Sequence, residues 1–458
     1  LHKGIAQWYE QNSDEAAAAT YPMLAYHWHE AGDLAQTIRY LEKSGDLAYS
    51  TGAFLEAAGN YLRAIELGGE KLPGERASSI KLRRARWNRK LADAYYGLGA
   101  LDQSINHSRE ALTILGEKVP STPMGWKAST LKSRVVGRKY DGKIPKFPKK
   151  VSNKDKLVEA SQAARRFAEC SYRNQDYPSM VGASWLSVRI GEKAGGYAGI
   201  SLCYAMLGMG HGVHAEEKSA NSLFETAKKV AMKNSRPMDF VFAVQNMANF
   251  RMGVGNWAGL KTVLSEAVDL ATVYGTDYDA ETLLLAQGHL AYLTGQLGSA
   301  MRFFEDVTQT SARRSNAQHE IWALNAQATA CIGIGKFDIA MRLLNDSQKL
   351  LGKTGEKIST IVCFGALALA RLRGGNLPGA RLAADAAWKR MDDTPTSFEV
   401  LYGYIGVVEV YLELWLRSVL TKSPDAVSLG RRAKGACDCI KRYSDIFPVG
   451  QPLVHLYE

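Results

Sequence analysis

Gly295-Gln-Leu-Gly-Ser-Ala-Met-Arg-Phe-Phe304 and Gly335-Lys-Phe-Asp-Ile-Ala-Met-Arg-Leu-Leu344 share one pattern and lie 40 residues apart. Gly255 and Gly375 continue the series with the same spacing on either side. In all four copies, the residue two positions after the glycine is apolar. The residue five positions after it is usually small, the one nine positions after it is usually large, and the one twelve positions after it also belongs to the pattern. This regular period indicates a repeated structural unit. The positions hold, in turn, Trp257, Leu297, Phe337 and Leu377; Leu260, Ala300, Ala340 and Ala380; Leu264, Phe304, Leu344 and Ala384; and Ala267, Val307, Ser347 and Ala387.

Each copy predicts a pair of helices. Glycine tolerates the left-handed conformation that ends a helix, and the apolar residues after it have the spacing of the next helix. The small residue at the fifth position lets two helices approach closely, and the large one at the ninth fills the gap between neighbouring pairs. Because one pair cannot bury its apolar side alone, the copies must stack. The sequence therefore predicts an all-α solenoid of tetratricopeptide-like helical hairpins, wound as a right-handed superhelix.

Other parts of the chain follow the pattern less regularly. Gly32, Gly52 and Gly99 are followed by apolar or small residues at comparable positions, and the first two lie only 20 residues apart. That short separation predicts short helices at the start. The stretch 359–364 is β-prone, but we expect a helix because the repeat requires one there. Further helices are expected within 156–195, 197–234, 396–420 and 424–446.

The pattern divides the chain into four predicted segments. N-terminal helical repeats occupy 1–119, and a basic, proline-rich linker occupies 120–156. The main array with the 40-residue period occupies 157–395, and capping helices occupy 396–458. The linker is the best boundary because its prolines oppose a continuous helix.

The linker also carries most of the net charge of +11. It holds eleven Lys and Arg against two acidic residues, Asp141 and Asp155, a balance of 11 − 2 = +9. Such a segment can be a solvated, mobile connector, or it can contact an acidic protein surface or anionic lipid; a nucleic-acid partner is not expected. Its candidate partner-binding residues are Trp126, Lys127, Lys132, Arg134, Arg138, Lys139, Lys143, Lys146, Lys149 and Lys150.

A second basic cluster lies at 81–90. Trp87, Leu91 and Ala94 follow a helical stripe and are expected in the core. The arginines between them are then expected on a solvated outer face, with an arginine-rich interface as the alternative.

Three further stretches near the start carry a resemblance to a known family. They are Tyr26-His-Trp-His-Glu-Ala-Gly-Asp-Leu34, Ile38-Arg-Tyr-Leu-Glu-Lys-Ser-Gly-Asp-Leu-Ala48 and Gly52-Ala-Phe-Leu-Glu-Ala-Ala58. Together with Leu1–Glu10 and Phe447–Pro452, they resemble the repeat region after the ATPase module of large class III adenylate and guanylate cyclases. Related predicted-ATPase signalling proteins of the soluble adenylyl cyclase-like group share this layout.

The resemblance implies a regulatory role without chemistry of its own. In that family the cyclase and ATPase motifs lie upstream of the repeats, and none of them can be placed on these residues. The implied function is a non-catalytic protein-interaction scaffold in signal transduction, the repeat arm of a nucleotide cyclase or signalling ATPase. Its expected partner is the upstream ATPase or cyclase domain, or another protein. The alternative is a ligand-sensing repeat arm of an ATP-dependent transcriptional regulator or of a protein kinase.

No catalytic, cofactor-binding or metal-binding residue is predicted. Gly352-Lys-Thr354 matches the end of a phosphate-binding loop, but Ser347 stands where that motif needs a glycine, so we expect a helix end. His27 and His29 are two residues apart and do not share a helix face. His211 and His214 could approach each other, but no set of carboxylates or cysteines supports a metal there.

The six cysteines and the hydropathy indicate the compartment. The cysteines are scattered without a C-x-x-C pair, which predicts buried free thiols in a reducing compartment, and hence a cytoplasmic protein. The most apolar stretches, Ile361–Ala370 and Leu401–Leu416, are too short or too charged to cross a bilayer, so no transmembrane segment is expected.

Overall fold

A computed structural model describes residues 1–12, 17–68, 76–136, 140–354, 356–391 and 394–458, without the side chains of 17–18 and 132–136. In this part of the chain there are 22 α-helices and no β-strand. Consecutive helices pack against each other as hairpins, and the hairpins stack in chain order. The predicted all-α solenoid of tetratricopeptide-like hairpins is confirmed.

The helices of the first half are α1 (His2–Asn12), α2 (Tyr21–Glu30), α3 (Leu34–Ser50), α4 (Phe54–Leu67), α5 (Ala77–Gly97), α6 (Leu101–Ile114), α7 (Pro123–Val136), α8 (Lys154–Arg173), α9 (Tyr177–Lys193), α10 (Ile200–Val213) and α11 (Glu217–Lys233). Those of the second half are α12 (Pro237–Val254), α13 (Leu260–Tyr274), α14 (Asp277–Leu293), α15 (Leu297–Arg313), α16 (Ala317–Gly333), α17 (Phe337–Thr354), α18 (Lys357–Arg373), α19 (Leu377–Trp388), α20 (Val400–Leu420), α21 (Ala426–Ser444) and α22 (Gln451–Tyr457). Short 3₁₀ turns lie at Ala17–Thr20 and Pro448–Gly450.

The four periodic glycines end helices in the conformation that the pattern predicts. Gly255, Gly295, Gly335 and Gly375 have φ angles of 77°, 78°, 76° and 81°, in the left-handed region that only glycine adopts at little cost. The amide of each donates to a carbonyl in the last turn of the preceding helix. Backbone geometry therefore favours glycine at these helix ends. Gln175, Ala215, Ser235 and Ser315 take similar left-handed conformations after other helices, so a different residue can occupy the position at a cost in strain.

The apolar positions of the repeat form the contact between hairpins. At the fifth, ninth and twelfth positions after each glycine every side chain is buried. The even-numbered helices from α8 to α20 each contact the next even-numbered helix, so they form an inner layer. The odd-numbered α13, α15, α17 and α19 keep one exposed face and form an outer layer. Two layers of helices thus enclose a main apolar core that extends through most of the repeats, with smaller apolar clusters beside it.

The early repeats differ from the expectation in one respect. Gly32 and Gly52 flank a single helix of 17 residues, α3, so the prediction of short helices was wrong there; the two glycines end consecutive helices of one hairpin. Elsewhere the expected helices are found. The β-prone stretch 359–364 lies within α18, because packing against α19 and α20 overrides local propensity.

Helices α18 and α20 touch main chain to main chain. A Cβ added to Gly365 would overlap the carbonyl and Cα of Gly403, and one added to Gly406 would overlap the carbonyl of Gly365. The approach is possible only because all three residues lack a side chain. It holds the inner ends of the last hairpins in one relative position.

The basic segment 120–156 is partly helical. Helix α7 begins at Pro123 itself, since proline lacks only an amide hydrogen that the first turn leaves unused. The extended residues after 140 lie against α9 to α11, with Tyr140, Ile144 and Phe147 packed on that core. Lys229 donates to the carbonyl of Gly142 over 2.9 Å. The four predicted segment boundaries remain a prediction.

Candidate functional site

The inner side of the solenoid is enclosed, because the first repeats contact the later ones across it. The Phe54 and Tyr278 rings meet edge to face with centroids 5.9 Å apart. A Cβ on Gly99 would lie 2.8 Å from Thr354 Cγ2 and 3.4 Å from Gln318 Cβ. The inner side of the solenoid is therefore an interior, which we call the inner channel: the space bounded by α5, α8, α14, α16, α18 and α20.

Helix α8 brings four charged side chains into the inner channel. Arg165, Arg166, Glu169 and Arg173 are all at least 93% buried. Arg165 Nη1 lies 2.7 Å and Arg166 Nη1 2.5 Å from Glu169 Oε2. The Arg166 guanidinium also lies 2.6 Å from Asp93 of α5. Although burial acts to raise it, Arg166 and Arg89 hold the pKa of the Asp93 carboxyl below its usual range.

The arginines of α5 belong to the same network. Arg86 and Arg89 lie 2.8 and 2.6 Å from the two carboxylate oxygens of Glu159 in α8. The expected solvated face is therefore wrong for Arg89, which Glu159 and Asp93 neutralise within the fold, whereas Arg86 keeps 39% of its side chain exposed. The alternative of an arginine-rich interface with a partner stays a prediction. Trp87, Leu91 and Ala94 are buried as expected.

Arg173 stands at the far end of α8 between two carboxylates. Its Nη1 lies 3.5 Å from Glu356 Oε1 and 3.6 Å from Glu399 Oε2. Its guanidinium lies 3.9 Å above the Trp322 ring, within the range of a cation–π contact. Glu356 also accepts hydrogen bonds of 2.7 Å from Trp322 Nε1 and 2.7 Å from Ser359 Oγ. Four helices thus converge on one guanidinium.

A narrow cleft opens beside this group. Its lining includes His289, Trp322, Asn325, Glu399 and Tyr402. His289 Nε2 lies 3.7 Å from Glu399 Oε1. Burial, together with Arg173, lowers the pKa of His289 to about 4, so the imidazole is neutral at pH 7. The hydroxyl of Tyr402 is buried, and none of the described residues forms a hydrogen bond with it. The cleft can therefore offer a carboxylate, aromatic faces and a free hydroxyl.

The predicted partner-binding residues lie apart from the inner channel, and one of them is not available at the surface. Trp126 is 2% exposed and packs on Phe167 and Gly182, so it belongs to the core; the expectation of partner contact is wrong for this residue. The side chains of Lys127, Lys143, Lys146, Lys149 and Lys150 are exposed. Those of Lys132, Arg134, Arg138 and Lys139 lie outside the described residues.

The remaining candidates have structural roles. His211 Nδ1 lies 2.6 Å from Glu216, and the Tyr177 hydroxyl lies 2.6 Å from the His214 ring. No group of three or more His, Cys, Asp or Glu side chains that could hold a metal occurs in the described ranges. Gly352–Thr354 forms the last turn of α17. Five of the cysteines are buried and all six are free thiols.

No helix in the described part of the chain has both the length and the apolar character required for a membrane span.

The inner channel was not predicted from the sequence. In α8, Arg165, Arg166, Glu169 and Arg173 have the i, i+3 and i, i+4 spacings of one helix face. Such a face is usually exposed to solvent. Here helices that are distant in the sequence cover it, so the sequence of α8 alone does not indicate its burial. The available signal lay in α14, α16 and α18. These helices are not divided into an apolar and a polar face, and a helix without that division is buried on all sides.

Comparisons with known proteins identify the fold. No family model matches the chain, and no curated protein sequence matches it. Among solved structures, a Rap protein complexed with Competence and Sporulation Factor is similar, with a TM-score of 0.55 and 11% identity over 89% of this chain and 99% of that one. Yeast Tom70 matches over 100% of this chain and 94% of its own, with 13% identity and a TM-score of 0.38.

The likeness to the Rap protein supports a tetratricopeptide-type solenoid. At 11% identity it shows the fold alone. The function is therefore argued from the residues of the inner channel.

Proposed function

We propose that this protein is a non-catalytic interaction scaffold whose inner channel binds a segment of a partner protein. It serves as the repeat arm of a multidomain nucleotide cyclase or signalling ATPase. Solenoids of this kind present an extended inner surface, and here that surface is polar and enclosed. Binding of a partner segment would shift the first repeats against the later ones. This shift would signal to the neighbouring module that the segment is bound.

The observation that carries the proposal is the lining of the inner channel. Arg165, Arg166, Glu169 and Arg173 are buried together, and replacing such networks by well-packed apolar residues is often neutral or stabilising. Stability alone does not require them. Buried charged and hydrogen-bonding groups gathered on one surface are instead typical of a site that recognises a polar ligand.

Two further observations support the role and the parent. The similar Rap protein was solved with a bound factor, so a solenoid of this shape can hold a ligand. Stretches 26–34, 38–48 and 52–58 resemble the repeats that follow the ATPase module of class III cyclases. Residues 26–58 lie in α2 to α4, the hairpins that close the inner channel from the N-terminal side.

A pull-down tests this role. The proposal expects an ATPase or cyclase module in the same reading frame, and the tagged 458-residue chain should retain that separately expressed module. Cross-links should then appear on helices α4 and α5, beside Phe54 and Gly99, where the first repeats contact the later ones. A parent that has no such module, or a module that is not retained, would contradict the proposal.

We further propose that the exposed lysines of the basic segment form a docking surface for an acidic face of the same partner. Lys143, Lys146, Lys149 and Lys150 lie within eight residues, and Tyr140 and Phe147 hold this stretch on the core. Asp141 lies 3.0 Å from Lys143 and offsets one of these charges, but the segment keeps a net positive charge. A fixed group of like charges raises the association rate of an oppositely charged surface. The lysines are therefore expected to act on binding without contributing to the core.

Charge reversal tests this surface. The fourfold variant Lys143→Glu, Lys146→Glu, Lys149→Glu, Lys150→Glu should weaken partner binding by about tenfold at low salt, and less at high salt. Its control carries the same charge change at exposed positions elsewhere: Lys261→Glu, Lys336→Glu, Lys353→Glu and Lys434→Glu. Equal effects of the two variants would indicate net charge alone. A loss confined to anionic vesicles or RNA would assign the surface to those ligands instead.

A further inference from the structure

The inner channel is filled by its own side chains. The cleft beside Arg173 has a volume of about 20 Å³, which is space for about one water molecule. Arg165, Arg166 and Glu169 occupy the neighbouring part of the channel and are at least 93% buried. A partner segment that binds in the channel must therefore enter a wider form of it.

The contact that closes the channel is narrow. We call it the clasp: Phe54 and Gly99 of the first repeats, with Tyr278, Gln318 and Thr354 of the later ones. All five lie at or beside a helix end. In the described part of the chain, no helix from α1 to α6 packs lengthwise against a helix from α14 to α18. Closure therefore depends on a few side chains.

The clasp buries polar groups without satisfying them. Gln318 is 0% exposed, and none of the described residues forms a hydrogen bond with its amide oxygen or nitrogen. The same holds for the hydroxyl of Thr354, which is 4% exposed. A primary amide has two donor hydrogens and two acceptor sites, so one water molecule trapped beside it would satisfy it only in part. Bulk solvent satisfies both side chains once the two surfaces separate, and this lowers the free energy that opening requires.

The helices between the two sides of the clasp can accommodate such a separation. Gly99 and Gln318 are connected by α6 to α15, which stack so that each helix mainly contacts its neighbours. Small rotations at successive stacked interfaces therefore add up to a larger displacement at the clasp. The ion pairs that join α5 to α8, such as Asp93 with Arg166, lie within the stack and need not break.

We propose that the clasp opens and closes in solution, and that a partner segment enters the inner channel only in the open form. The second part of this inference rests on the proposed function. Because only the open fraction binds, the closed form reduces the apparent affinity for the partner. Binding in turn holds the first repeats away from the later ones.

Distances between paired spin labels test the opening. The labels are attached through Glu56→Cys in α4 and Lys353→Cys in α17, which are exposed positions on opposite sides of the clasp. Both variants carry Cys437→Ser, because the Cys437 thiol is partly exposed whereas the other native thiols are buried. We expect a second, longer distance beside that of the closed form.

The control pair lies within the later repeats. Arg302→Cys with Lys353→Cys, again at exposed positions, should give one narrow distance. One narrow distance for both pairs would overturn the inference. Equal broadening in both pairs would also overturn it, because the motion would then belong to the repeats in general.

A substitution within the clasp should shift the balance. Gln318→Met keeps the shape of the side chain and removes the unsatisfied amide, so the ratio of open to closed form should fall about tenfold. Gln348→Met makes the same change at an exposed position of α17 and should leave the ratio unchanged. Circular dichroism establishes that both variants are folded. An unchanged ratio in Gln318→Met would place the motion elsewhere and contradict the inference.

A disulfide across the clasp tests the second part. A Cβ added to Gly99 lies 3.2 Å from Thr354 Cβ, about a few tenths of an ångström below the usual range for a disulfide. The oxidised double variant Gly99→Cys, Thr354→Cys should retain the separately expressed ATPase or cyclase module about tenfold less well or worse, and reduction should restore retention. Equal retention by the oxidised and reduced forms would exclude entry through the clasp.

The two proposals fail separately. A second distance without retention of the module would leave the clasp intact and exclude the scaffold role. Retention of the module without a second distance would exclude the clasp and leave the scaffold role intact.

Discussion

The four periodic glycines serve the fold through their left-handed backbone conformation. Lack of room for a side chain is not the reason for glycine at these positions. Gly295 has φ 78°, and a Cβ added there would have no atom within 4 Å. Gly295→Ala should therefore lose about 1 kcal/mol of unfolding free energy through backbone strain alone. Chemical denaturation measures the change.

The matched control for this substitution is Gly59→Ala. Gly59 lies inside α4, is exposed and also has nothing within 4 Å of an added Cβ. Because its backbone is already helical, alanine should stabilise the protein by about 0.5–1 kcal/mol. Similar losses at both glycines would contradict the assignment of Gly295 to a left-handed helix end.

His289 should make stability depend on pH. Burial holds its pKa at about 4 in the folded state, against about 6.5 in the unfolded chain. The unfolded state therefore binds more protons between these values, and stability is lost as the pH falls from 6.5 towards 4. Its neighbours Glu399, Glu356 and Arg173 face the same space. Arg173 stays protonated throughout this range, and both carboxyls are present in the unaltered protein and in the variant described next.

Substitution isolates this contribution. His289→Asn should flatten the decline in unfolding free energy between pH 6.5 and pH 4.5, by about 2 kcal/mol. Urea unfolding at several pH values measures the difference from the unaltered protein. The same slope in both proteins would show that His289 is not the group responsible.

Residue by residue, the sequence reveals backbone requirements better than it reveals burial. Gly255 and Gly375 could be placed because a left-handed helix end leaves a local signature. Trp126 could not: an aromatic residue between lysines fits a surface contact as well as a core, and the deciding neighbour, Phe167, lies 41 residues further along the chain. Arg173 was missed for the same reason, since Glu356 and Glu399 are distant in sequence.

Among the helices, the contact between α18 and α20 is the one most sensitive to a small change. Gly406→Ala would place a methyl group on the carbonyl of Gly365, and neither main chain can move without displacing its helix. We expect a loss of about 3 kcal/mol or more, at the upper end of overpacking effects. Thermal or chemical unfolding measures the loss.

Gly352→Ala provides the comparison for this contact. Gly352 lies in the last turn of α17 and has nothing within 4 Å of an added Cβ, so its substitution should change stability by less than about 1 kcal/mol. If Gly406→Ala were equally mild, the two helices could not be in main-chain contact.

Helix positions were predictable to the extent that one repeat resembles the next. Packing between adjacent hairpins is local in sequence, so α13 to α19 follow from the period alone. Helix α7 follows no repeat, and its start at Pro123 shows why proline density is a weak guide. Proline disrupts the helical turn that precedes it, so it does not prevent a helix from beginning at its own position. The contact between Gly365 and Gly403 is invisible without the fold, because each glycine alone fits a helix end.

Closure of the inner channel is a property of the whole molecule. Gly99 of the first repeats lies against Thr354 and Gln318 of the later ones. A leucine there would push the two parts away from each other. Gly99→Leu should increase the radius of gyration in solution scattering and lower the hydrogen-exchange protection of amides near residue 354 by about tenfold or more.

Gly32→Leu is the control for this closure. Gly32 has φ 76°, close to the 74° of Gly99, but has nothing within 4 Å of an added Cβ. The two variants therefore impose the same backbone strain, and only Gly99→Leu meets the later repeats. An equal expansion in both would show that strain, and not closure, governs the shape.

The overall architecture could be predicted from the 40-residue period of the sequence. The contact of the first repeats with the later ones, which closes the inner channel, could not. Stacking rules act between neighbouring hairpins and say nothing about whether the first and later hairpins meet. Contacts such as Phe54 with Tyr278 join residues more than 200 positions apart, and no periodic signal records them. The inner channel is a product of this closure, so it had to be found in three dimensions.

The two carboxylates beside Arg173 stand at the starts of α18 and α20, the helices that are held together at their glycines. The main-chain positions of both residues are thus fixed by the contact between the two helices, and Arg173 fills the space between their carboxylates. A methyl group that enters between α18 and α20 would therefore also disturb this buried ion pair at a distance, although it touches none of the three charged side chains.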